Sequence, residues 1–201
     1  MNQRSLRTID TIPVGPLGVI PLASCAEIGK KVDEYLVNWR HENTSEHKSN
    51  ITFSGYERDS YIVNASVPRF GSGEAKAIIN ESVRGQDIYL IVDVCNNSLT
   101  YKMCGMENRM SPDDHYQDLK RIIAAVAGKA RRINVIMPFL YESRQHKRSS
   151  RESLDCALAL QELVSMGVDN IITFDAHDPR VQNAIPLNGF ETVTPAYQLI
   201  K

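Results

Sequence analysis

Residues 88–94 read Ile88-Tyr89-Leu90-Ile91-Val92-Asp93-Val94, an apolar run broken by one acid near its end. A strand with one wet face alternates apolar and polar residues, whereas a strand covered on both faces is apolar almost throughout. This stretch is therefore a buried strand of a parallel sheet, and it ends in Asp93-Val94-Cys95-Asn96. Similar runs lie on either side of it. Leu17 to Leu22 precedes it, bounded by Gly and Pro, and Ile133 to Pro138 and Asn170 to Asp175 follow. Glu191 to Thr194 is a candidate last strand.

Between these runs the period changes. Ser24 and Glu27 have the spacing of a capping box, and Ile28, Val32, Tyr35, Leu36 and Trp39 recur at helical intervals, so a helix is expected to about residue 39. Ser111-Pro112-Asp113-Asp114 opens a second helix with a cap, a proline at the first position and acids near the positive dipole end. Its buried stripe is Leu119, Ile122, Ile123 and Val126. Ser149 and Glu152 repeat the capping-box spacing ahead of a third helix that carries Leu154 to Val164 and stops at Gly167. Strands alternating with helices give an α/β fold, a parallel sheet flanked by helices. Tyr61 to Ala65 and Ala75 to Asn80 read as two strands around the turn Phe70-Gly71-Ser72-Gly73. Residues 40–59 read as a surface excursion, and Cys95 to Met110 as a long loop.

The 201 residues suit a single domain able to bury a core without disulfides or metal. Apolar residues make up 42% and charged residues 23%, values that argue against disorder and coiled coil. A net charge of -1 gives no overall attraction to nucleic acid or to an anionic membrane. No run of about 18 apolar residues is present, and the first residues lack the apolar centre of a signal peptide. Cys25, Cys95, Cys104 and Cys156 form no CxxC pair, which fits reduced thiols in a cytoplasmic protein. GxxxxGK[ST] occurs nowhere, so a P-loop kinase is excluded.

In parallel sheets ligands bind beyond the carboxyl ends of the strands. Three strands bring Asp93 to Asn96, Tyr141 to Arg148, and Asp175-Ala176-His177-Asp178 to that edge. Arg144, Lys147, Arg148 and Arg151 are expected just before or inside a first helical turn, where arginine forks and helix-end amides suit phosphate. A basic run of this kind is equally a solvated loop; cations at a helix N-terminus make more sense with an anion between. His177, flanked by Asp175 and Asp178, is a candidate for a divalent metal or a phosphate contact, although a lone histidine after a strand is often structural.

Taken in order, these pieces resemble the ribose-phosphate pyrophosphokinases. Arg69-Phe70-Gly71-Ser72-Gly73-Glu74 followed by Glu81-Ser82-Val83-Arg84-Gly85-Gln86-Asp87-Ile88-Tyr89 is similar to that family's flag hairpin. Tyr141 to Arg148 resembles its YARQDRK segment, and Ile171 to His177 its VITMDLH segment. The likeness runs from residue 17 to 201, with extra sequence at about 40–60 and 97–110. It implies a phosphoribosyltransferase-like domain with a flag β-hairpin, and an ATP site holding Phe70, Ser72 and Glu74 from a flag that reaches across a subunit interface. It further implies Arg144, Gln145 and Lys147 on adenine and phosphates, with Arg148 beside them, and His177, with Asp175 near it, on magnesium and ATP.

The implied reaction, in nucleotide biosynthesis, moves the diphosphoryl group of ATP to ribose 5-phosphate, giving phosphoribosyl pyrophosphate and AMP. The implied partners are ATP, ribose 5-phosphate and like subunits. The ribose 5-phosphate loop and the mobile catalytic loop belong to the family's second half, and nothing like either is present. Residues 1–201 are thus expected to be one N-terminal domain, inactive alone. His146 stands where the family has an aspartate, Ser149 replaces an acid and Ser72 an Asn or Asp. A non-catalytic regulatory or scaffolding relative of the synthetase is the alternative that His146 and Ser149 motivate.

Overall fold

A computed structural model of the chain describes residues 13–42 and 56–200. Strands β1 (Leu17–Pro21), β4 (Asp87–Ile91), β7 (Arg132–Met137), β8 (Asn170–Phe174) and β9 (Gly189–Val193) form one sheet in the order β1-β4-β7-β8-β9, all parallel. Two small antiparallel pairs stand apart from it, β2 (Ala65–Ser66) with β3 (Ile78–Ile79), and β5 (Thr100–Met103) with β6 (Met106–Arg109). The helices are α1 (Ala26–Glu42), α2 (Pro112–Val126), α3 (Asp155–Ser165) and α4 (Ala196–Ile200).

The apolar run that opens the sequence reading is covered on both sides. Ile88, Leu90 and Val92 join Ile133, Val135, Met137 and Ile171 against Leu119, Ile122, Ile123 and Val126 of α2 and Leu160 and Leu163 of α3. Ile91 instead joins Val19, Cys25 and Tyr61 on the α1 side, with Val32 and Leu36 packed on them. The chain also crosses β1. Val19 exchanges backbone hydrogen bonds with Tyr61 and Val63, as a parallel bridge on the edge away from β4. The route therefore goes to one side of β1 before crossing to β4 on the other, which makes the β1–β4 crevice the point where strand order reverses.

A polar row runs along the amino ends of the strands. Asp87, 7% exposed, accepts at 2.8 Å from Arg132 Nε and at 2.8 Å from Asn134 Nδ2. Asn134 in turn accepts at 2.6 Å from Asn170 Nδ2. A Cβ at Gly189 would stand 2.0 Å from Asn170 Oδ1, so β9 can lie beside β8 only because that position lacks a side chain.

Five local readings differ from the structure. The Ser24–Glu27 box does not form. A short 3-10 turn (Ala23–Cys25) precedes α1, and the buried Ser24 hydroxyl accepts from the Asp93 amide, tying the end of β1 to that of β4. The α1 stripe is narrower than its spacing implies, with Ile28 and Tyr35 48% and 70% exposed, because it is Val32, Leu36 and Val37 that pack against Val19, Cys25, Tyr61 and Ile91. Cys95 to Met110 is not a loop but contains the β5–β6 hairpin. Ser149 and Glu152 do bond to each other, yet α3 begins only at Asp155, so Arg144, Lys147, Arg148 and Arg151 precede the helix rather than cap it. The strands read at 61–65 and 75–80 shrink to β2 and β3, while the Ser111–Asp114 capping box is complete. The surface excursion at 40–59 falls largely outside the described residues.

At the α1 crossing a Cβ on Gly29 would stand 2.3 Å from Pro21 Cβ. Gly29→Ala gains about 1 kcal/mol of helix propensity, but overpacking against a rigid ring costs about 1–3 kcal/mol. The expected outcome is a net loss near 1 kcal/mol in urea unfolding; a stabilised variant would show that α1 lifts off Pro21 freely.

Burial pushes the thiols of Cys25 and Cys156 up to about 11, while Cys95 and Cys104 are exposed. Ellman titration at mildly alkaline pH should label Cys95 and Cys104 quickly, and Cys25 and Cys156 only after unfolding. Fast labelling of Cys156 in folded protein would contradict its burial in the first turn of α3.

Candidate functional site

The segment after β7 turns back on itself at the carboxyl edge. Ser143 is buried, and its amide donates to the Leu140 carbonyl. Glu142 before it sits at φ 56°, a left-handed conformation uncommon for a residue with a side chain. After β8 a similar bend occurs at Asp175, φ 46°, whose amide donates to the Val193 carbonyl. The two bends bring the segments together, and the Ser143 hydroxyl accepts from the His177 amide at 3.2 Å. Conformations of this kind are costly and gather at functional sites.

His146 pins the junction. Its ring centroid is 4.9 Å from that of His177, its Nδ1 lies 3.2 Å from the Ser143 carbonyl, and its Nε2 lies 3.5 Å from Asp178 Oδ2. Asp178 also caps the 3-10 turn Pro179–Ala184 by accepting from the Arg180 amide, and its carboxylate takes the Arg180 guanidinium on both oxygens. The Arg180 side chain, followed by its amide, holds the Asp178 carboxyl well below the usual carboxylate range. For an acid with a depressed folded pKa, the contribution is present above the unfolded value and lost as pH falls through the folded one. The Asp178 carboxylate therefore keeps its charge, and its pairing with Arg180, through the ordinary acid range.

Around it lies an excess of positive charge. Arg144, Lys147, Arg148 and Arg151 are exposed, and none of the four is in an ion pair among the described residues. Gln145 is fixed through its backbone, donating to the Glu142 carbonyl and accepting from the Cys156 amide. The loop is thus held at both ends while its cations face solvent. His177 and Asp175 are exposed beside it. No group of three or more His, Cys, Asp or Glu able to hold a metal occurs among the described residues. His177 and Asp175 are the side chains of this segment that could meet a divalent metal in its commoner mode, on one or two side chains plus phosphate oxygens and water.

Phe70, Ser72 and Glu74 share a second location, the tip of the β2–β3 hairpin. Phe70 and Glu74 close the turn backbone to backbone at 2.7 Å, the Ser72 hydroxyl donates to Glu74 at 3.0 Å, and the Phe70 ring is 54% exposed. No hydrogen bond, ion pair or ring contact among the described residues joins this tip to Arg144, Gln145, Lys147 or His177. The sequence-derived residues fall into two groups. The reading also missed members of the carboxyl edge: His146 as the pin, Ser143 as its support, and Ser24 with Asn96 at the β1–β4 crevice, where Asn96 Nδ2 donates to the Ser24 carbonyl.

The chain has relatives among known proteins. A family model described as the N-terminal domain of ribose phosphate pyrophosphokinase matches residues 17–167. The chain is 32% identical over 123 residues to ribose-phosphate pyrophosphokinase B of Dictyostelium discoideum, a match covering 60% of this chain and 33% of that one. It is 33% identical over 129 residues to putative ribose-phosphate pyrophosphokinase 2 of Streptococcus pneumoniae, covering 62% and 36%. Its structure resembles that of the phosphoribosylpyrophosphate synthetase from Mycobacterium smegmatis, with a TM-score of 0.64 at 19% identity over 91% of this chain and 50% of that chain; this is a likeness of fold. The chain thus matches about a third of the length of the curated relatives. No helix among the described residues is long and apolar enough to cross a membrane.

If the basic loop takes anions, tripolyphosphate added to nitrogen-15-labelled protein should shift the amides of 144–151 and 177, with affinity falling as salt is raised. Shifts confined to other regions would remove the anion assignment.

Proposed function

This chain belongs to the family of N-terminal domains of ribose phosphate pyrophosphokinase, and from that premise we propose that it carries the nucleotide side of a ribose-phosphate diphosphokinase. The reaction passes the diphosphoryl group of ATP to the anomeric hydroxyl of ribose 5-phosphate, releasing AMP. The observation that carries the proposal is the loop of four unpaired cations at the carboxyl edge of the sheet, fastened beside His177. Transfer of this type needs charge on the phosphate oxygens balanced and the nucleophile in line. Arg144, Lys147 and Arg148 would face the phosphates, Gln145 the adenine, and Phe70, Ser72 and Glu74 would close over the nucleotide.

Magnesium, when bound, supplies charge neutralisation across adjacent phosphate oxygens. His177 and Asp175 are the residues placed to meet it. As no hydrogen bond, ion pair or ring contact among the described residues joins the hairpin tip to the basic loop, the complete site would join the loop of one copy to the tip of another, in a homo-oligomer. Groups for ribose 5-phosphate, and the mobile catalytic loop, would come from a second domain, and this domain alone would not turn over.

A second reading is a regulatory relative that assembles without turnover. It is favoured by His146, whose ring stands against His177 and Asp178 where the family pattern has an acid.

Calorimetric titration with ATP, with and without magnesium, tests the proposal. Saturable magnesium-dependent binding is expected, and Arg144→Ala should weaken it by at least about tenfold, as for a lost charged hydrogen bond. Unchanged affinity in a folded variant would sink the phosphate-clamp assignment.

A further inference from the structure

We propose that the β5–β6 hairpin acts as a clasp that positions the tip of the β2–β3 hairpin within the same chain, through Tyr101, Met103 and Cys104. The clasp follows from contacts alone; its effect on nucleotide binding rests on the reading of Phe70, Ser72 and Glu74 given above.

Three contacts converge on the tip. The Cys104 amide donates to the Gly71 carbonyl at 2.8 Å, which joins the two turns backbone to backbone. Cys104 and Gly105 sit at φ 50° and 82°, so the two-residue loop between β5 and β6 is tight and twists with its strands. At the next position of the tip, a Cβ on Gly73 would lie 2.9 Å from Met103 Sδ and 3.8 Å from Tyr101 Cε2. Gly73 itself has φ 92°, so its backbone favours glycine, and Met103 closes over the space that the missing side chain leaves.

Arg69 is the third contact and the anchor for both hairpins. Its guanidinium lies 4.4 Å from the centre of the Tyr101 ring, donates to the Gly73 carbonyl at 3.0 Å and to Asp118 of α2 at 2.8 Å, and stands 3.6 Å from Asp114. A planar fork can satisfy a carbonyl, a carboxylate and an aromatic face at once, and a lysine cannot. Asp118 is held from its other side by Arg121. The tip is thereby tied through Arg69 to a rigid helix.

Between the hairpins, the end of β1 and α2 lies a cavity of about 470 Å³ bordered by Val67, Leu99, Tyr101 and His115. Ala65, Val67, Ala77 and Ile79 at the base of the β2–β3 hairpin pack against the core, and the contacts between the two hairpins lie at their tips. Those contacts are to backbone and to Arg69. The side chains of Phe70, Ser72 and Glu74 stay exposed. The geometry is that of a mount, which fixes a loop's path and leaves its side chains free to meet a ligand. Preorganisation of this kind lowers the ordering cost of binding.

The test uses the whole chain, with hydrogen exchange read residue by residue and ATP affinity measured in parallel. In Tyr101→Ala, in Met103→Ser and in Arg69→Lys, the amides of Phe70, Gly73 and Cys104 should exchange about tenfold faster or more while those of β4 and β7 keep their protection. Tyr101→Phe keeps the ring over Arg69 and should behave as the parent. ATP affinity should fall about fivefold in the three loosened variants and not in Tyr101→Phe. Unchanged exchange at those three amides overturns the clasp. Faster exchange with unchanged ATP affinity upholds it and removes Phe70, Ser72 and Glu74 from the nucleotide site.

Discussion

The row Asp87–Asn134–Asn170 fixes the strands of the sheet against one another, and the rest of the molecule depends on that alignment. A slip of one residue between parallel strands would turn every inward side chain outward. It would also strand the Asp87 carboxylate and the Asn134 amide without partners in a buried setting, a cost of several kcal/mol. Apolar packing alone discriminates weakly between registers in strands as uniformly apolar as 88–92 or 133–137. The polar row supplies the discrimination. With the amino ends level, the carboxyl ends are level too, and the segments after β4, β7 and β8 emerge at one edge.

That edge is built by joining loops rather than by deepening a pocket. Ser24 ties β1 to β4, while Ser143, His146 and Asp178 tie the β7 loop to the β8 loop. The result is a rim with exposed charge on it: the backbone of 142–146 is hydrogen-bonded in place, and the cations of 144–151 face solvent. The second group of candidate residues stands on a separate hairpin, held by α2 and by β5–β6. A nucleotide meeting both groups would bridge two independently supported parts, which suits a reaction that must grip a polyphosphate along its length.

The sheet was legible in the sequence because strands buried on both faces have no choice of composition, and α2 because its cap, proline and stripe agree with each other. The basic cluster and the tip residues were legible as local patterns, the tip chiefly through family likeness. What escaped depends on contacts between distant residues. Thr100 to Arg109 shows no apolar alternation because its strands brace a neighbouring turn instead of covering a core, and Cys104-Gly105 is an unusual spelling of a tight turn. Ser149 and Glu152 carry a helix-start pattern but use it to brace a loop, so helix α3 starts later than the pattern indicates. His146 looked like a mere departure from a motif, since nothing in its surroundings announces His177 and Asp178.

The bridge from Val19 to Ile62, and the pairing of Leu17 with Asp87, carry a kinetic consequence. Strand β9 reaches β8 after a short stretch from Asn170 to Gly189, and β8 reaches β7 through a single helix. Strand β1 waits for the longest closure of the sheet, across α1 and the β2–β3 hairpin. Loop-closure entropy must be overcome before such a pairing rewards it. The order of assembly implied is from the C-terminal strands inward, with β1 and α1 docking last onto a preformed β4–β7–β8 platform. Until they dock, the apolar β4 edge lies open, and it is in that interval that the chain is most exposed to pairing with another copy of itself.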